Sequence, residues 1–415
     1  MKQLQRLKFV SIIVVCVLVL ILFHQPIKAT STKTVFVPDN FPTIQDAINN
    51  VAPGSTIIVR DGLYRENIVV DIGQNDLTIK SEHGPKNTII ANSSNESESY
   101  IIEILGDRII FEGFTVTNDK DVLVYGIKVV SKGSTIKSNI IKGLYINTAV
   151  ILDNCYGTSI ENNTLRETYH GIRIDRSMNC KISNNLIIGT QGDGIYFRHN
   201  NAYIVVEGND ISSCLGVGIN IESLAHGEIV GNVIVGCQIA GIRVGSPENA
   251  IYLNNFVDNI RHVEIQMANT TWNSEPLDYI YDLKKFHGCL GNFWDDYKGV
   301  DANHDGVGDT PYKISEAQYD RYPLMELIKS YTIISSATST TTTTPTSTTT
   351  PSTTSTTSTT SPPYTASTTP TISSPITSTI TPPSSTGGLD ITIIAVLIIV
   401  LVIVLIVFSK VRRKR

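Results

Sequence analysis

The run "DANHDGVGD" sets Asp301, Asn303 and Asp305 at alternate positions, followed by Gly306, Val307 and Asp309. Hard oxygen donors in that pattern match the start of a twelve-residue calcium loop. The glycine allows a sharp turn and Val307 offers its carbonyl. Tyr312 stands where such a loop carries a bidentate Glu. The run is therefore not an EF-hand, and Glu316 or Asp320 would have to complete the shell. A structural calcium bracing the C-terminal end is the expectation. A solvated acidic turn is the plainer alternative.

A second constellation emerges when the chain is stacked on a recurring "G-I-x-V" start. The starts are Gly126, Ala149, Gly171, Gly194, Gly218, Gly241 and, degenerately, His262. The second residue after each start gives Lys128, Ile151, Arg173, Tyr196, Asn220, Arg243 and Glu264. The fourth gives Val130, Asp153, Asp175, Arg198, Glu222, Gly245 and Gln266. On a strand these positions share one face. Glycoside hydrolysis needs an acid paired with a base or nucleophile. Asp153 and Asp175 lie one repeat apart, about 5 Å if repeats stack at strand spacing. Asp175 and Glu222 would be about 9.6 Å apart, near the upper end of the inverting range. Arg198 lies between them, and Arg173, Tyr196, Asn220 and Arg243 would line a substrate groove. His170 and His199 flank it. The plainer reading is a solvated face whose charges pair across repeats.

The repeat itself predicts the scaffold. A second signal recurs as aliphatic, two residues, Asn, one residue, aliphatic. It reads Ile136/Asn139/Ile141, Ile160/Asn163/Leu165, Ile182/Asn185/Ile187, Val206/Asn209/Ile211, Ile229/Asn232/Ile234 and Tyr252/Asn255/Val257. Two registers agree over six rounds, and no helical period lies between them. The pattern predicts an all-β fold, a right-handed parallel β-helix with coils of about 23 residues. The Asn column is expected at a bend, in left-handed backbone, bonding from coil to coil. Phe111/Phe114/Val116 repeats the spacing with Phe in place of Asn. "TIQDAINNVA" predicts a short amphipathic helix over 43–52, started by Thr43 and Asp46, that covers the open end.

Composition bounds the rest. Residues 1–29 carry Lys2, Arg6 and Lys8 and then an apolar run, the layout of a secretory signal cleaved near Ala29; an uncleaved anchor is the alternative. Residues 331–388 are Ser/Thr/Pro-rich and read as a stalk. Residues 389–409 are long and apolar enough to span a bilayer, and the basic tail 410–415 places the C-terminus inside. The domain between, 30–330, holds regular coils over 126–266 and a cap over 286–326. The two ends take nine of the 33 Lys/Arg and only one, Asp390, of the 38 Asp/Glu, so the external part is strongly acidic. That argues against nucleic acid as a partner. Sequons stand at Asn92, Asn95, Asn162 and Asn269.

"TIQDAINNVAPGSTIIVRDGLYRENIVV" resembles the N-terminal cap and first coil of the pectin-lyase-like β-helix superfamily, with Gly62, Tyr64 and Glu66 in its G-x-Y-x-E run. The coils resemble carbohydrate-binding and sugar-hydrolase repeats. "GNFWDDYKGVDANHDGVGDTPYKI" with "DRYPLM" is similar to the C-terminal signature of NosD-like proteins. The resemblance implies a cell-surface protein that binds, and in one version processes, polysaccharide or surface glycan. The activity would be that of a hydrolase or lyase. A structural or adhesion module of the envelope is the second reading, since one fold hosts many functions. A copper-enzyme maturation accessory is the third and is disfavoured, because Met178, Met267 and Met325 form no cluster. Cys214 and Cys237 share a position in adjacent coils, as stacked thiols or a bridge. They and Cys289 are expected in the core, and Trp272 and Trp294 are expected to plug its end.

Overall fold

The computed structural model describes residues 32–266 and 269–334. The signal, most of the stalk, the apolar C-terminal segment and the basic tail lie outside the described residues.

Short β-branched runs become strands that stack coil on coil into three parallel sheets of ten, ten and nine strands. The first sheet runs from Thr34–Val37 to Ala250–Tyr252, the second from Gly62–Arg65 to Phe293–Trp294, and the third from Ile68–Val70 to Val263–Ile265. Inside, aliphatic side chains pile up in register. Ile136, Ile160, Ile182 and Val206 form one such column, and Ile141, Leu165, Ile187 and Ile211 form another. All are fully buried. Each contributes about 2 kcal/mol through removal of apolar surface from water. Coils approach so closely at the repeat start that a Cβ on Gly218 would lie 2.5 Å from the Gly241 carbonyl oxygen, which accounts for the glycine there.

Between the first and second sheets the chain turns through two residues, and the second is the ladder asparagine. Each Asn Oδ1 accepts both the backbone N–H and the Nδ2–H of the Asn one coil before. The steps run Asn139 to Asn163 to Asn185 to Asn209 to Asn232 to Asn254 to Asn292, at 2.9–3.1 Å. Each Nδ2 also donates to a strand carbonyl, as Asn209 does to Ile182. Every polar atom of these buried amides is thus satisfied. At the N-terminal end Phe114 N–H donates to Asn139 Oδ1, and Phe111 and Phe114 stack.

Two expectations are corrected. The ladder residue is not left-handed; the residue before it is, with φ of 56° at Ser138 and Asn162, 55° at Asn184 and 64° at Gly208. The last round is shifted by one. Ile251, Asn254 and Phe256 occupy the ladder positions rather than Tyr252, Asn255 and Val257. Ile251 and Phe256 are completely buried while Tyr252 and Val257 are not, so core burial sets the register.

The N-terminal helix is Ile44–Asn50, with Thr43 Oγ1 accepting from Asp46 N–H. Ile44, Ala47 and Ile48 are buried over the first coils. Glu66 accepts from the amides of Ile44 and Gln45, satisfying two donors the helix leaves free. At the other end Trp294 stacks on Phe256 at 4.6 Å and on Tyr312 at 4.4 Å, with Trp272 beside it. Both tryptophans plug the core. Antiparallel strands Leu277–Tyr281, Lys284–Gly288 and Thr332–Ile334 form a cap that starts before residue 286 and includes residues read as stalk. Cys289 is half-exposed, not core, whereas Leu290 is buried. Cys155, Cys180, Cys214 and Cys237 are buried free thiols. The Asn92 sequon is inaccessible: Asn92 is buried and bonded to Asn67 and Asn118.

The ladder ends on Asp320. Its Oδ2 accepts from Asn292 N–H at 2.7 Å and Trp294 Nε1–H at 3.0 Å, and its Oδ1 from Tyr322 N–H. Asp320 is fully buried, and burial pushes its carboxyl up to about 6. An unfolded Asp titrates at about 4 and so loses its proton first as pH rises. Stability should therefore fall between about pH 4 and about pH 6 and level off above. Asp320→Asn should remove that slope in melting curves taken across the same range. Asn209→Ala strands buried donors and acceptors on both neighbouring coils and should cost about 3 kcal/mol, seen as a lowered denaturation midpoint.

Candidate functional site

The third sheet carries the outward columns expected from the sequence, and its registers agree. Lys128 pairs with Ile151, Ile151 with Arg173, Arg173 with Tyr196, Tyr196 with Asn220, Asn220 with Arg243 and Arg243 with Glu264. Asp153 pairs with Asp175. The structure thus brings Arg173, Asp175, Tyr196, Arg198, Asn220, Glu222 and Arg243 onto one face across four coils.

The carboxylates are not free acids. Arg176 holds Asp153. Arg173 Nε donates to Asp175 Oδ2 at 3.0 Å, and Arg198 Nε lies 3.9 Å from Oδ1. The Asp175 side chain is only 6% exposed and lies between these two guanidinium groups. Asp153 and Asp175 therefore turn to different arginines. Tyr196 is pushed up to about 12 by burial and by the adjacent Glu222, and stays a hydroxyl donor at neutral pH. Arg243 pairs with Glu264 at 3.0 Å.

Two residues outside those columns join them. His170 and Asp193 occupy the position just before the repeat start in successive coils. Asp193 N–H donates to His170 Nδ1 at 3.0 Å, which leaves Nε2 as the protonated nitrogen of the neutral ring. Burial lowers the His170 pKa, reinforced by Arg173 and Arg198 and opposed by Asp193. Asp193 in turn accepts from Val217 N–H and Asn220 Nδ2. The outward columns leave His170 on the flank and pass over Asp193. Reading one column further back would have aligned them. His199 joins through its backbone carbonyl, which accepts from Arg176 N–H.

Six buried side-chain polar atoms in the described residues lack a protein partner, and three lie on this face: Asp175 Oδ1, Asn220 Oδ1 and Arg243 Nε. All three are closed off from solvent as well as from protein partners, a costly state for polar groups.

The calcium-type loop is curled on itself. Asp301 accepts from Asp305 and Gly306 N–H, Asp305 from Val307 N–H, and Asp309 from Ala302 N–H. Asn303 Nδ2 donates to Asp305. Of the two residues named to complete the shell, Asp320 is committed to the ladder end and Glu316 to Lys313.

A family model described as "Periplasmic copper-binding protein (NosD)" matches residues 48–299. No curated protein matches the chain. Among solved structures, pectate lyase Pel9A is similar at 14% identity and a TM-score of 0.46, over 58% of this chain and 79% of that one. The Dettilon tailspike protein is similar at 15% identity and 0.42, over 55% and 50%. DFA-IIIase from Arthrobacter chlorophenolicus A6 is similar at 17% and 0.41, over 50% and 59%. The chain thus spans about half to three-fifths of the tailspike and of DFA-IIIase. A soft site of the kind that selects Cu(I) is built from thiolate and thioether donors. The four buried cysteines face the core, where burial pushes Cys155 up to about 12 and raises Cys180, and Met178 stands alone on the surface. These residues do not fit a soft copper site.

Proposed function

This chain belongs to the NosD family, and on that premise we propose that it is a cell-surface β-helix protein that binds carbohydrate along the outer face of its third sheet. The observation that carries the reading is the column Arg173, Tyr196, Asn220 and Arg243, paired in register on four successive coils. They span consecutive coils, so a linear polymer laid along the helix axis meets a new donor or acceptor about every 4.8 Å. Tyr196 supplies a ring and a hydroxyl donor in the same row. Arg173, Arg198 and Arg243 hold the carboxylates in place, and the neutral His170 adds a donor at the edge.

Binding without turnover is favoured because Asp153 and Asp175 are tied to separate arginines. Hydrolysis would need Asp175 or Glu222 to act as the acid or base. The secretory signal, the stalk and the membrane anchor complete the proposal by holding the β-helix outside the cell.

The test is binding to a panel of neutral and acidic polysaccharides, with new reducing ends and unsaturated products measured in parallel. Arg173→Ala and Tyr196→Ala should each weaken binding about tenfold, since each removes a contact of about 1.4 kcal/mol. Product release abolished by Asp175→Asn would make the face an active site. Folded protein that binds no glycan would sink the proposal in favour of an architectural role.

We also propose that the loop Asp301, Asn303, Asp305, Val307 and Asp309 takes calcium and stiffens the cap. Gly306, at φ 88°, packs the loop against Tyr281 and Tyr331 of the cap. Calcium should raise the melting temperature, and Asp301→Asn with Asp305→Asn should abolish that rise without changing glycan binding.

A further inference from the structure

A second polar cluster lies at the C-terminal end of the coils, where the last strand of the third sheet begins. His262 is the degenerate last repeat start, and Asp295 and Asp296 follow the strand Phe293–Trp294. One donor atom from each of the three lies within 4.8 Å of the other two, the only such His/Cys/Asp/Glu trio among the described residues. His262 Nε2 is 2.8 Å from Asp295 Oδ1 and 3.5 Å from Asp296 Oδ1. Donors about 2.0–2.1 Å from a tetrahedral divalent ion lie about 3.3 Å apart, and the two His262 separations bracket that edge.

The trio is held from behind. Asp295 Oδ2 accepts from Asp258 N–H at 2.6 Å, and Asp296 Oδ2 accepts from the Tyr312 hydroxyl at 3.3 Å. Each carboxylate has one oxygen pinned by the protein and the other turned to His262. Outer contacts of this kind are what orient metal ligands. The imidazole is 7% exposed, and its Nδ1 finds no partner. Its polar contacts among the described residues are those of Nε2 within this trio.

The trio opens on a cleft of about 520 Å³, also lined by Arg261, Tyr312 and Lys313. We propose that His262, Asp295 and Asp296 form a site for a divalent first-row transition ion of the zinc class. Its fourth position opens into the cleft. One imidazole with two carboxylates suits such an ion, whereas calcium prefers six or more oxygens. Arg261 and Lys313 beside the open position select an anionic oxygen ligand there, a carboxylate or phosphate.

The test uses the full chain, stripped with chelator and titrated with Zn²⁺ by calorimetry and with Co²⁺ by visible absorption. One equivalent of each should bind in excess calcium, and Co²⁺ should give the intense bands of a tetrahedral site. Asp296→Asn, at an exposed carboxylate, should weaken binding about tenfold or more, and His262→Gln should abolish the tetrahedral spectrum. Should His262→Gln fail to fold, as judged by circular dichroism, Asp296→Asn decides alone. Identical isotherms for the parent and Asp296→Asn, or displacement of Zn²⁺ by millimolar calcium, would overturn the site. Glycan binding is read separately, so failure here leaves the third-sheet reading intact.

Discussion

A single directional hydrogen-bond chain fixes the rest of this molecule. From Asn139 to Asn292 every buried amide donates toward the C-terminal end and accepts from the N-terminal side. Aligned dipoles of this kind strengthen one another in a low-dielectric interior. They also accumulate positive character at the donor end, as the N-terminus of a helix does. Asp320 meets that end with a buried carboxylate. Core burial chooses which asparagine enters the ladder, the ladder then holds the turn between the first two sheets, and that shared register lines up the third-sheet columns. The polar face is therefore a remote consequence of amide geometry in the core.

The two ends of the coil stack are closed by different chemistry. At the N-terminus a helix of seven residues lays Ile44, Ala47 and Ile48 on the open core, and Glu66 pins its first amides. At the C-terminus aromatic rings stack over the last coil, and antiparallel strands divert the chain away from further pairing. Both devices remove an open strand edge that would otherwise recruit another chain. The carboxylates around the C-terminal plug are thus divided among three tasks. Asp320 terminates the ladder, Asp295 and Asp296 surround His262, and Asp301, Asp305 and Asp309 curl the acidic loop.

The scaffold was legible because it is periodic. Aliphatic residues and asparagines recurring in two registers leave one economical solution, and the outward columns follow from alternation. Legibility failed where two registers fit equally well or where a partner lies outside the repeat. "YLNNF" offers two adjacent asparagines with apolar flanks for either, and only burial of Ile251 and Phe256 chooses Asn254. Asp320 is 28 residues beyond Asn292, with no period to link them. The face was legible in its columns but not in its pairing. Arg176 sits on a left-handed corner, φ 50°, from which it reaches back one coil to Asp153. The alternation rule does not extend to such a corner.

The spacing of the ladder in sequence carries a last consequence. Six of its seven asparagines succeed one another at intervals of 22–24 residues, yet Asn254 and Asn292 are 38 apart and bond at the same 3.0 Å. The extra length leaves the stack as an excursion and returns to the next rung. Each rung recognises only its immediate neighbour, so the corner between the first and second sheets is blind to how much chain lies between visits. Such a solenoid can gain or lose whole turns, or host side domains, by ordinary duplication and insertion. Its two ends and their closures stay unchanged while the length of its working face is free to vary.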